Sequence, residues 1–150
     1  MERVVEDLHE WEKDFRAADI YASTANFTEF VFSLGSAEEE ENIYQTDGPE
    51  KSTLAKITLT EKLDRNASLK LHFTARGISR IMQSPSMTIR LDAKLEIEFP
   101  DSPGPAYDAY VAFYISHMRG RVKDIAEHSV DLVAAKLRDF IRQEFTLKEI

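Results

Sequence analysis

The sequence predicts an α+β fold: an antiparallel meander of about five strands packed on a long C-terminal helix, with another helix at the N-terminus. Two observations predict it. Ser86–Phe99 alternates without a fault, with Met87, Ile89, Leu91, Ala93, Leu95, Ile97 and Phe99 apolar and every residue between them polar. A period of two does not arise on a helix, so this is a strand with one face on a core and the other in water. The chain then ends in apolar residues at helical spacing, from Val122 to Ile141. One-sided patterning of this kind builds two layers, not a doubly wound sheet.

The bulk numbers bound the answer. The 150 residues fit a single domain, 1–150, and an apolar fraction of 43% is that of a globular chain. Net charge is −8, from 27 acidic and 19 basic residues. That balance works against nucleic acid and anionic lipid surfaces, where Lys and Arg supply the affinity. With no cysteine, disulfides, thiol nucleophiles and cysteine metal sites are excluded. The opening Met1–Asp7 has no apolar signal core and no run of apolar residues is long enough to span a bilayer, so a cytoplasmic protein without a membrane span is expected.

Val4, Leu8, Trp11 and Phe15 recur at steps of four, three and four, which predicts an amphipathic helix over 2–17. Phe27–Leu34 reads as the first strand of a sheet running from 27 to 118, apolar on both faces, with Phe27 and Val31 opposite Phe30 and Phe32. Ser36 and Glu39 resemble a capping box for a short helix reaching Tyr44, and Glu38–Glu41 read as a solvated acidic turn. Asp47-Gly48-Pro49 is a loop signal. Thr53–Leu63 and Ser68–Ile78 alternate as strands joined by Asp64-Arg65-Asn66.

Pro100–Pro105 is the densest turn cluster. Tyr107–Met118 is compatible with strand or helix, and its aromatic and β-branched residues favour the strand. A helix there would have to bend, because its stripe is turned by about a quarter turn from that of the helix that follows, at about 100° per residue. Beyond Gly120 the final helix covers 121–145, about 37 Å at 1.5 Å per residue, against about 45 Å for the long strand.

No cofactor is expected, since phosphate loops, dinucleotide fingerprints and nucleophile elbows are missing. Glu6 and His9 have the spacing of a carboxylate-bridged metal site, but no second copy exists and a solvated face is the better reading. Asp124 and His128, one helical turn apart, read as a surface pair. A curved sheet gripping a helix can enclose a ligand cavity, whose lining would be Phe73, Leu91, Leu95, Phe113, Val133 and Leu137. Trp11, Phe15, Phe27 and Val31 are the candidates for an interface, since aromatic side chains dominate binding hot spots.

The C-terminal third, with Tyr110–Met118 as a last strand, Arg119-Gly120-Arg121-Val122, and a helix ending Ala134-Ala135-Lys136-Leu137-Arg138-Asp139-Phe140-Ile141, resembles the START-like, helix-grip superfamily. The resemblance implies binding of lipids or other hydrophobic molecules, and occasionally cyclase-type catalysis. Three readings of function follow. The first is a non-enzymatic module binding a hydrophobic small molecule or an apolar protein segment. The second is a dimeric protein-interaction or chaperone-like subunit. The third is a cyclase or hydrolase built on His72 or His117 with a carboxylate.

Overall fold

The computed structural model describes residues 2–99 and 104–145. The elements follow as β1 (Glu2–Arg16), α1 (Ile20–Leu34), β2 (Ala37–Asp47), β3 (Glu50–Lys62), β4 (Ala67–Ser79), β5 (Ser86–Phe99), α2 (Pro105–Phe113), a π-helical turn (Tyr114–Met118) and α3 (Arg119–Glu144). The five strands form one antiparallel sheet in the order β1-β5-β4-β3-β2. Strands β2 to β5 are a meander, and β1 lies beside β5, joining the start of the chain to its last strand. Of the predicted turn cluster, Pro100–Pro103 lie outside the described residues.

The central strands form as their alternation dictates. All seven apolar positions of β5 are at most 1% exposed, and Ala55, Ile57, Leu69, Leu71, Phe73 and Ala75 continue that face across β3 and β4. Burying each of the larger side chains contributes roughly 1.5–3 kcal/mol. Asp47 pairs with Glu50 across the two-residue turn Gly48-Pro49. Gly48 sits there at φ +60°, as a hairpin turn with glycine first requires.

Both long helices lie on this one face. Phe27 of α1 packs on Phe73 of β4, while Leu137 of α3 lies with Leu91 of β5 and Trp11 of β1 around a shared hollow. Phe140 joins the helices, stacked on Phe30 at 4.8 Å and tilted against Phe27 at 6.2 Å. The opposite face of the sheet carries the polar alternates.

Four expectations are corrected. Residues 2–17 are not a helix: Glu2–Arg16 is a strand paired with β5, whose register shifts between Asp7 and His9. That bulge changes which parity faces inward, so Val4 and Leu8 from one side of it and Trp11 and Phe15 from the other imitate a helical stripe. The N-terminal helix is instead Ile20–Leu34, and Phe27–Leu34 is its second half, not a strand. Asp19 caps it, its side chain accepting from the backbone of Tyr21 (2.9 Å) and Ala22 (3.3 Å). Residues 37–47 are the outer strand β2, not a short helix.

Tyr107–Met118 is helical, not a strand, and it runs into α3 with no break at Gly120. The buried positions Tyr114, Val122, Ala126 and Val130, with half-buried Met118 among them, follow at steps of four. A 3.6-residue helix would rotate such a row by about 40° per step. The i→i+5 turn at Tyr114–Met118 absorbs part of that rotation and so bridges the phase mismatch between the two stripes.

Candidate functional site: the outer edge of β1 beneath α3

β1 is an outer strand, with no neighbour on its far side among the described residues. Its backbone groups there are free to pair with another chain. Val4, Leu8, Trp11 and Phe15 pack towards the core, yet all four are only half-buried, whereas their β5 partners Ile97, Leu91 and Met87 are sealed. The difference is positional: among the described residues no strand stands beyond β1 to cover its apolar row.

α3 roofs this edge and is tied to it at both ends. Glu6 of β1 receives Lys123 Nζ at 2.7 Å and Arg119 at 3.4 Å. The Lys123 hydrogen bond holds the Glu6 carboxyl below the usual carboxylate range. At the other end Phe15 stacks on Phe145, centroids 4.8 Å apart and planes within 11°. Beside it Glu144, almost buried, accepts from Ser23 (3.1 Å) and Asn26 (3.2 Å) and so pins α3 to α1.

Between these ties lies a small hollow of about 60 Å³, bordered by His9, Trp11, Leu91, Ala134, Leu137 and Arg138. Small-molecule sites occupy roughly 300–1,000 Å³. Of the six residues expected to line a cavity, Leu91 and Leu137 border this hollow. Phe73 and Leu95 are sealed in the core, Val133 is half-buried, and Phe113 is 55% exposed. Of the four interface candidates, Trp11 and Phe15 are at the β1 edge, but Phe27 and Val31 are 0% exposed. On the helix α1 both fall on the buried side, where a strand over 27–34 would have turned them outward.

The histidines separate. His117 is exposed against Phe113, 4.9 Å between ring centres, and His128 is exposed on α3 with Asp124. His72 stands on the polar face of the sheet beside a cleft of about 530 Å³, with Nδ1 3.0 Å from Thr58 Oγ1. The carboxylate opposite it, Asp92, accepts from Arg90 at 2.7 Å and is committed to that cation. Among the described residues no group of three acidic, His or Cys side chains is placed to hold a metal, and no helix is long and apolar enough to cross a membrane.

Two fastenings were not visible in the sequence. Tyr114 donates to Asp64 Oδ2 at 2.7 Å and Tyr110 donates to Asn66, locking the junction of α2 and the π-helical turn onto the β3–β4 hairpin. The Asp64-Arg65-Asn66 turn itself is legible, but nothing local to it names partners 44 and 50 residues away.

No family model matches the chain, and no curated protein does. Among solved structures it is similar to a norcoclaurine synthase point mutant from Thalictrum flavum bound to a transition-state analogue, at 12% identity over 90% of this chain and 98% of that one, TM-score 0.24. A truncated form of that synthase matches at 11% identity over 88% and 96%, TM-score 0.25. A quaternary ammonium Rieske monooxygenase matches at 8% identity over 83% of this chain and 39% of that one, TM-score 0.21. Likenesses of this degree carry no argument about activity. Fold and edge together define the class on their own terms: an α+β sheet-and-helix protein whose outer strand β1 keeps a half-buried apolar row.

Proposed function

We propose that the protein is a non-enzymatic binding module that takes an apolar segment of another protein as an added strand along the outer edge of β1, beneath α3. One observation carries this reading: an unpaired strand edge and a half-buried inward row, Val4, Leu8, Trp11 and Phe15, coincide on one element. In strand addition, backbone hydrogen bonds supply affinity and the alternate side chains find pockets. The hollow beside Trp11 and Leu137 would receive one such side chain, and its size favours a side chain over a whole lipid.

Trp11 is the single tryptophan of the chain and sits in the site, so its fluorescence reports occupancy directly. A neutral peptide alternating Val and Thr is expected to shift Trp11 emission to the blue and to slow amide exchange along β1 but not along β2. A long-chain fatty acid that shifts Trp11 while the peptide does not would overturn strand addition in favour of a hydrophobic small molecule.

A further inference from the structure

The same edge also bears charge, and the charge is unevenly distributed between its two faces. On the inward face Glu6 is matched by Lys123 and Arg119, and Lys13, opposite Ile89, lies over the Phe15 ring. On the outward face Asp7, Glu10, Glu12 and Asp14 follow along the strand, all exposed. Arg90 of β5 serves Glu10 (2.6 Å) and Glu12 (3.6 Å) while also holding Asp92 (2.7 Å). Asp14 is met by the neutral Thr88 hydroxyl at 2.6 Å, and Lys94 stands opposite Asp7. Outward-facing residues 7–14 of β1 and 88–94 of β5 therefore hold five carboxylates against two cations.

From this we infer the chemistry of the partner: a segment in which apolar residues alternate with lysine or arginine. The inference rests on the strand-addition reading and adds the charge of the occupant. A strand laid beside β1 places its outward side chains about 4.5–5.5 Å from those of β1, where opposite charges attract and like charges repel. Its apolar residues then face Leu8, Trp11 and Phe15, and its basic residues face the four carboxylates. A second copy of this chain fits badly. Its own β1 brings the same acidic row, and its other outer strand, β2, carries Glu38–Glu41.

Three peptides of equal length test this, alternating Val with Lys, Thr or Glu, read by Trp11 fluorescence and β1 amide exchange. The Lys peptide is expected to bind at least about tenfold tighter than the Thr peptide at low salt, the Glu peptide weakest, with the differences shrinking as salt screens the charges. Excess Thr peptide should displace the Lys peptide, and Glu10→Gln with Glu12→Gln should narrow the gap between them. Equal affinity for all three overturns the charge assignment and leaves strand addition standing. Lys peptide that the Thr peptide cannot displace is bound by general charge and also overturns it. Binding by none removes strand addition and this inference together.

Discussion

Glu6 accepts a 2.7 Å hydrogen bond from Lys123 across the seam between β1 and α3, and its carboxyl titrates below its ordinary value of 4.5 as a result. A carboxylate depressed in the folded state stabilises above its unfolded pKa, and that contribution disappears as pH falls through the folded value. The seam should therefore weaken in acid. Replacing Glu6 by Gln keeps the shape and removes the titration. We expect the variant to lose less stability than the parent in urea melts taken from neutral pH down to about pH 3, because only the parent must protonate Glu6. Parallel losses in the two proteins would show that the bond contributes nothing to holding α3.

Gly77 of β4 lies where Ile20 of α1 comes close to the sheet backbone. A Cβ there would lie against the Thr53 hydroxyl, 2.7 Å from Met87 Sδ and 2.9 Å from Ile20 Cβ. Thr53 is not free to yield, since its hydroxyl and that of Thr24 are hydrogen-bonded at 2.7 Å inside the core. Gly77→Ala should cost about 1–3 kcal/mol, the usual range for overpacking. Thermal melts read the loss. A neutral outcome would mean that α1 can lift from β4 without penalty.

What the sequence made legible follows from whether a single period governed a segment. β5 and α3 each keep one phase over more than a dozen residues, and the predicted 86–99 and 121–145 agree with Ser86–Phe99 and Arg119–Glu144. β1 changes phase at its bulge, and the sum of two strand phases happened to equal a helical one. α1 hid for a different reason: its buried row is Ile20, Ser23, Thr24, Phe27 and Val31, and two of those five positions are polar. Ser23 and Thr24 are tolerated because Glu144 and Thr53 satisfy them, contacts 121 and 29 residues distant that no window can see. The site was half legible. Trp11 and Phe15 stood out by size, but only the strand geometry reveals that they line an uncovered edge.

Tyr114 anchors the point where α2 passes into α3. Its ring is 3% exposed and packs edge-on against Phe99 at 5.2 Å, and its hydroxyl donates to Asp64. Asp64 in turn accepts from the backbone of Asn66 (2.8 Å) and Ala67 (2.7 Å), so one carboxylate ties the hairpin to itself and to the helix. Tyr114→Phe keeps the packing and removes one hydrogen bond to a charged group, which should cost about 1.5–3 kcal/mol. Burial, aided by Asp64, pushes the phenol well above its ordinary pKa of 10.0. A group raised in the folded state stabilises fully below its unfolded pKa, and that stability drains away as pH rises towards the folded value. The parent should therefore lose stability steeply above about pH 10, and Tyr114→Phe should lose less over the same range. Denaturant midpoints of the two proteins at neutral and alkaline pH decide it. A gap that stays constant across that range would mean that the Tyr114 hydroxyl ionises as freely in the folded chain as in the unfolded one.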